Sequence, residues 1–191
     1  MRILGRFALA AALLAPAGLI TVQSASAAGG GFNCTGSTGS VVLDRGVSLQ
    51  TDRSSVMTVT APGLTCTGGQ VTAGALSATL KTPSVSCAKW VGAKNVGTGT
   101  LTWSAPAQMG KTTMALQFKV TATAGHSTSG TILGKVIGAQ DQVGTGKGIA
   151  GTFTLNKGLK SVASGGDCTL LGRLKNFGIT AINIKTTVAV P

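Results

Sequence analysis

The sequence predicts an all-β protein: an antiparallel β-sandwich or β-barrel of about eight to ten strands, fastened by two disulfides. Three observations support this prediction. The 191 residues include 29 glycines, many Thr, Val and Ser, and no glutamate, a composition that disfavours helices. Short runs of alternating apolar and polar residues recur between Gly, Ser, Asn and Pro, as in sandwiches and barrels. Four cysteines form an even set, as expected for paired thiols.

The alternation of apolar and polar residues predicts where the strands lie. In the clearest run, Met114, Leu116 and Phe118 share one face, continued by Val120 and Ala122, which predicts a half-buried strand. A turn-forming segment before this run indicates a hairpin with the preceding strand. In another run the apolar set changes phase at Gly74-Ala75, where we expect a bulge. The predicted strands cover residues 40-50, 55-61, 70-81, 97-104, 112-124, 131-138, 148-156 and 178-190.

The beginning of the chain has the pattern of an export signal. Two spaced arginines precede an apolar stretch over residues 7-20 and a small-residue segment that ends at Ala27, which predicts cleavage after that alanine. The apolar stretch has about 14 residues, whereas a membrane-spanning helix needs roughly 20. We therefore expect residues 1-27 to be a signal peptide and residues 28-191 to be a single secreted β-domain without a membrane span.

The charge of the expected mature chain is strongly basic. Arg2 and Arg6 leave with the signal peptide, so 16 basic residues become 14 against four acidic ones, and the net charge falls from +12 to about +10. Such a charge favours anionic partners: a cell-wall polymer, a lipid headgroup or a polysaccharide. The lysines are spread singly from Lys81 to Lys185, and the chain has no tyrosine. Nucleic-acid binding is not expected, since it usually needs grouped cations and stacking aromatics.

The cysteines predict two disulfides. Cys34, Cys66, Cys87 and Cys168 all follow the predicted cleavage site, and exported chains form disulfides. A zinc site is disfavoured because no C-x-x-C pair exists and the lone histidine, His126, is near none of the cysteines in sequence. Three pairings satisfy the sequence. We prefer Cys34 with Cys66 and Cys87 with Cys168, since two sequential loops tie both parts of the chain into the sheet.

No catalytic motif has its required context. Residues 105-112 match a loose nucleotide-loop pattern, but the alternation after them indicates a strand where a phosphate-binding loop needs a helix. The segment around His126 is similar to the histidine motif of chymotrypsin-like proteases, yet the nearest serine segment, residues 164-168, has the wrong order. The four aspartates are scattered. We expect no enzyme activity, no cofactor and no metal.

One aromatic residue is a candidate ligand contact. Trp90 follows a cysteine in a segment expected to be a loop, with Lys89 and Lys94 beside it. A tryptophan flanked by lysines can contact a ligand, or it can pack over the neighbouring disulfide. Both interpretations stay open at this point.

Several short motifs also resemble a protein family. They are Cys-Thr-Gly at 34-36, Gly-Thr-Leu-Thr-Trp-Ser at 99-104, Gly-Lys-Gly-Ile-Ala-Gly-Thr-Phe-Thr-Leu at 146-155, and a late cysteine before a final hairpin. Together they resemble small secreted actinobacterial β-proteins of unknown function. The resemblance implies an antiparallel β-sandwich or barrel and carries over no catalytic residue.

The functional expectation follows from charge and compartment. We expect a secreted, non-enzymatic module that associates with the cell envelope by binding anionic polymers or polysaccharide. The alternative is a small-ligand carrier with a pocket inside the barrel or between the sheets. Retention on the cell wall that survives high salt would exclude the first hypothesis, and a packed interior with no cavity would exclude the second. The oligomeric state is left open by the sequence.

Overall fold

The structure is a computed structural model of the chain. The structure describes residues 31-50, 52-68, 71-105, 110-139, 145-170 and 173-187. The predicted signal peptide, residues 1-27, lies outside these residues.

Nearly all of the described chain is β-strand. One short helix, α1 (Cys87–Trp90), and one 3-10 turn (Val162–Ser164) interrupt the strands. The strands are β1 (Asn33–Gly36), β2 (Ser40–Val47), β3 (Arg53–Thr67), β4 (Ala73–Val85), β5 (Lys94–Ala105), β6 (Lys111–Ala124), β7 (Ser127–Ala139), β8 (Gly148–Leu155) and β9 (Leu174–Thr187). The all-β prediction is therefore confirmed.

The single sheet closes on itself. From β3 to β9 every strand pairs antiparallel with the next one along the chain. Both β1 and β2 then pair with β3 on one side and with β9 on the other. They share one position in the ring, so nine strands fill eight positions. Of the two predicted architectures, this pairing is that of a barrel.

Alternation fills the barrel with side chains. Along β6, Met114, Leu116, Phe118 and Val120 are buried, and the residues between them are only partly buried. Ala122 is exposed, contrary to prediction, because the register with β7 shifts between Val120 and Ala122. Other strands contribute large buried side chains in the same way: Leu43, Leu64, Leu76, Leu80, Leu101, Ile132, Leu155 and Ile184.

Each end of the barrel is covered by an aromatic pair. At one end Phe32 and Trp103 meet edge to face, with their ring centroids 5.1 Å apart. At the other end, Trp90 of α1 meets Phe177 of β9 in the same manner at 5.3 Å. Such contacts add to the free energy gained by burying the rings.

The two disulfides pair as preferred from the sequence. Cys34 and Cys66 lie directly opposite each other on β1 and β3. Cys87 of α1 is bonded to Cys168, in the segment between β8 and β9. The second disulfide fixes α1 and this long connection over one end of the barrel.

The strand boundaries differ from prediction where prolines and short segments occur. β1 was not predicted, because four residues are too few to show alternation. β3 continues past the exposed Pro62, which lies at a register shift between Ala61 and Leu64, a place where a missing amide donor is tolerated. The bulge expected at Gly74-Ala75 appears as a register shift one residue earlier, between Ala73 and Gly74.

α1 has four residues. Within the described ranges, no helix has both the length and the hydrophobicity required to span a membrane.

Glycine is required where neighbouring strands approach closely. A Cβ atom on Gly97 of β5 would overlap the carbonyl oxygen of Thr79 and would lie 2.7 Å from the Cα atom of Leu80, both on β4. On Gly138 of β7, by contrast, the nearest atom would be the Thr113 Cβ at 3.7 Å. The two glycines therefore tolerate a methyl group very differently.

We predict that Gly97→Ala lowers the free energy of unfolding by about 2 kcal/mol or more, because the added methyl group must push β4 and β5 apart. Gly138→Ala is the matched control and should stay within about 1 kcal/mol of the native protein. Urea denaturation followed by tryptophan fluorescence measures both. Equal stability of the two variants would contradict this account of the close approach.

Candidate functional site

The structure buries the aromatic residue predicted as a ligand contact. Trp90 is 1% exposed. Its Nε1 donates a hydrogen bond to Asn95 Oδ1 at 3.0 Å, and Asn95 Nδ2 donates to the Phe118 carbonyl oxygen at 2.8 Å. The ring of Trp90 packs against Phe177 and its one donor is already used, so the side chain is not exposed as a ligand contact would be. Packing, the other interpretation, accounts for this residue.

The two lysines beside Trp90 do not form a shared surface with it. Lys89 is exposed and its Nζ donates to Asp52 Oδ2 at 2.5 Å. That hydrogen bond is the main cause that lowers the pKa of Asp52. Lys94 begins β5 on the outside of the barrel. Of the two, Lys94 has no carboxylate partner among the described residues.

Lys94 belongs to a group of cations on the outer surface of β5, β6 and β7. We call this surface the basic face and define it by Lys94, Lys119 and Lys135. Lys94 lies directly opposite Lys119 in the β5–β6 register, so their Cβ atoms are about 5 Å apart. Lys135 lies opposite Ala115 of β6. A directly opposed pair of like charges is unfavourable for folding.

No acidic residue compensates the basic face in the described part of the chain. Asp44 is on β2, Asp52 precedes β3, and Asp167 lies between β8 and β9, whereas Asp141 is outside the described residues. The ion pairs of the described ranges use Lys89 and His126. None of the three lysines of the basic face therefore has a carboxylate partner among the residues that the structure describes.

A shallow groove of about 420 Å³ runs between these lysines. Val96 of β5 and Leu133 of β7 are each 50% exposed and lie on either side of Gln117 in the strand register. We call this feature the β5–β7 groove. Its lining residues are Val96, Gly97, Ala115, Leu116, Gln117, Leu133, Gly134 and Lys135.

The local sequence explains why the groove is smooth and largely apolar. Gly97 and Gly134 occupy inward positions on β5 and β7, on either side of Leu116. A Cβ on Gly134 would overlap the carbonyl oxygen of Ala115, so the strands approach one another closely here. Small residues in a strand interior permit such an approach. The outer wall is then built by Val96, Leu133 and the short side chain of Ala115.

A second group of polar residues joins the two segments that the sequence analysis compared with protease motifs, the one around His126 and the one at residues 164-168. His126, in the turn between β6 and β7, has its Nδ1 atom 2.9 Å from Asp167 Oδ1. Asp167 Oδ2 accepts a hydrogen bond from the Gly158 amide at 2.6 Å. The Leu159 amide donates to Thr123 Oγ1 at 2.8 Å. These contacts attach the β8–β9 connection to the tip of the β6–β7 hairpin.

The His126–Asp167 pair resembles two members of a catalytic triad, but the third role is unfilled in the described ranges. No serine or threonine of these ranges hydrogen-bonds to the other ring nitrogen, Nε2, as a nucleophile would. The nearest candidate segments carry other bonds: Ser127 Oγ donates to the Ala124 carbonyl and Ser161 Oγ donates to Ser164 Oγ. In the structure the pair attaches the β8–β9 connection to the β6–β7 turn.

The pKa of Asp167 is lowered by this arrangement. Partial burial raises it, but the hydrogen bonds from the Gly158 amide and from His126, together with the charges of His126 and Lys157, outweigh that effect. The ionised carboxylate is thus favoured in the folded protein. No other acid approaches it closely enough to share a metal ion in the described part of the chain.

A small cleft of about 210 Å³ lies at the edge of β2, β3 and β4. In it Asp44 Oδ1 accepts hydrogen bonds from Ser55 Oγ at 2.5 Å and from the amides of Arg45 and Val56 at 2.7 and 2.8 Å. The Ser55 bond is the leading cause that lowers the pKa of Asp44. Thr82 Oγ1, beside it, is buried without a partner in the described ranges. Asp44 thereby holds β2 against β3.

Comparison of the chain with protein family models, with curated protein sequences and with solved structures found no match.

Sequence reasoning missed the groove and the His126–Asp167 pair. Both depend on residues far apart in the chain: strand register brings the groove residues together, and the path of the β8–β9 connection brings Asp167 to His126. Two signals were present in the sequence: Leu133 and Lys135 stand at alternate positions of a predicted strand, and His126 and Asp167 lie in the two segments compared with protease motifs. Neither signal shows which residues become neighbours until the three-dimensional fold is known.

We predict that Asp167→Asn destabilises the protein near neutral pH and that this loss shrinks in acid. The folded-state pKa of Asp167 is below the ordinary value of 3.8. Its carboxylate therefore contributes stability above that value, and the contribution is lost as pH falls through the lowered pKa. Urea unfolding of both proteins between pH 7 and pH 2 tests this. A difference that widens in acid would refute the assignment.

Proposed function

We propose that this chain is an exported, non-enzymatic barrel that binds an anionic component of the cell envelope through its basic face. The observation that carries the proposal is the charge of Lys94, Lys119 and Lys135 on neighbouring strands, none of which has a carboxylate partner among the described residues. Two disulfides support export, because such bonds form and persist in oxidising compartments.

We expect a partner to bind the outer surface of the barrel, for two reasons. Closure of the sheet removes strand edges, which are otherwise sites for β-augmentation. Inward positions are filled by large side chains, among them Leu101, Phe118 and Ile132. The alternative function, a carrier with its ligand inside the barrel, has less support for this reason. A partner that binds the outer surface of β5 to β7 contacts the lysines of the basic face.

Electrostatics sets the expected character of binding. Screening acts over about 10 Å at 0.1 M salt, so exposed lysines attract an anion strongly only at low ionic strength. The directly opposed Lys94 and Lys119 repel each other in the free protein, and an anion placed between them removes that repulsion. Binding should therefore be reversible and sensitive to salt.

We predict that the native protein sediments with isolated cell-envelope fragments at low salt and is released at high salt. The triple variant K94Q/K119Q/K135Q should bind at least about tenfold more weakly, since each lysine near an anionic surface contributes about 1 kcal/mol. All three substituted positions lie on outer strand surfaces, so the variant should fold normally.

The matched control is K111Q/K160Q/K175Q, which removes the same charge from exposed lysines outside the basic face. It should retain most of the binding. Equal loss in the two triple variants would mean that net charge alone governs association. Retention that survives high salt would also overturn the proposal.

A further inference from the structure

We propose that the β5–β7 groove binds an anionic amphiphile, a lipid surface with negatively charged headgroups. Its aliphatic part would lie on Val96 and Leu133, and its headgroup would pair with the lysines of the basic face. This inference rests on the proposed function and narrows the anionic component to a lipid.

The aliphatic surface is the first support. Val96 and Leu133 are half exposed, and Ile137, farther along β7, is 53% exposed. The neighbouring outward positions of β5 are threonines, at 98, 100 and 102. Val96, Leu133 and Ile137 therefore lie on a surface where the neighbouring β5 positions carry hydroxyl groups. An exposed apolar area with a polar rim is typical of a binding surface.

The position of the lysines is the second support. Lys94 and Lys119 lie on one side of the groove, two residues along their strands from Val96 and Gln117. Lys135 lies on the opposite side, two residues from Leu133. The rise of a strand, about 3.4 Å per residue, sets these cations about 7 Å from the aliphatic row on either side. An acyl chain lying along this row would thus have cations on both of its sides.

Lysine geometry suits this arrangement. A lysine can lay its four methylenes along apolar surface while its ammonium group reaches the solvent or a headgroup phosphate. A hydrophilic polyanion would pair with the same ammonium groups, but it would bring no apolar atoms to Val96 and Leu133. An amphiphile gains from both interactions, because it also removes the aliphatic side chains from water. The apolar groove therefore discriminates between the two partners.

The experiment compares a lipid probe with a water-soluble one. The full mature protein is sedimented with phosphatidylcholine vesicles, with vesicles that also contain phosphatidylglycerol, and with polyphosphate as competitor. We expect binding to the phosphatidylglycerol vesicles alone, and incomplete displacement by polyphosphate at matched phosphate concentration.

Two double variants test whether the β5–β7 groove is the part of the surface that binds the vesicles. V96T/L133T replaces its aliphatic side chains with threonine, which already occupies neighbouring outward positions, and should weaken vesicle binding about tenfold without changing polyphosphate binding. V42T/V56T is the control, since both valines are comparably exposed on β2 and β3, outside the groove. It should bind vesicles like the native protein.

Equal vesicle binding by the two double variants would overturn the inference. So would complete displacement by polyphosphate. In either case, loss of envelope binding in K94Q/K119Q/K135Q would still support the proposed function, so the failure of one is distinguishable from the failure of the other.

Discussion

Backbone pairing between the first and last strands is the constraint on which the rest of the structure depends. β1 and β2 both bond to β9, and this pairing turns a meander into a closed ring. Once the ring is closed, each strand has a neighbour on both sides and every second side chain points inward. The inward set must then fill the interior, as Leu43, Phe118 and Ile184 do. Closure thereby leaves no described strand with an unpaired edge along the sheet.

The ends are occupied by the protein itself. α1 and the β8–β9 connection cover one end. The Cys87–Cys168 disulfide joins the two, and the His126–Asp167 pair attaches the connection to the β6–β7 turn. Phe32 and Trp103 cover the other. What distinguishes the outer surface is the concentration of lysines and aliphatic side chains on β5 to β7, where the glycine positions bring the strands close together. The positive charge of the lysines and the exposed apolar area therefore lie on the same part of the outer surface.

Local sequence patterns determined what could be predicted. Alternation located eight of the strands, and the order of the cysteines favoured the observed pairing. β1 was too short to show a period, and Lys89 and Lys94 beside Trp90 left both a contact and a packing interpretation open, although the ring is buried. The groove could not be predicted, since Val96 and Leu133 become neighbours of Gln117 only through register. Register depends on packing and bulges throughout the sheet.

Amide hydrogen exchange along β2 and β9 tests barrel closure most directly. In a closed ring successive amides of both strands are bonded, so Val41, Val42 and the residues around Ile182 should all exchange slowly, as in the interior strand β6. A sheet opened between β2 and β9 would leave both strands at an edge, where every second amide faces solvent. Slow exchange at consecutive residues is the predicted result, and alternating fast and slow exchange along either strand would contradict closure.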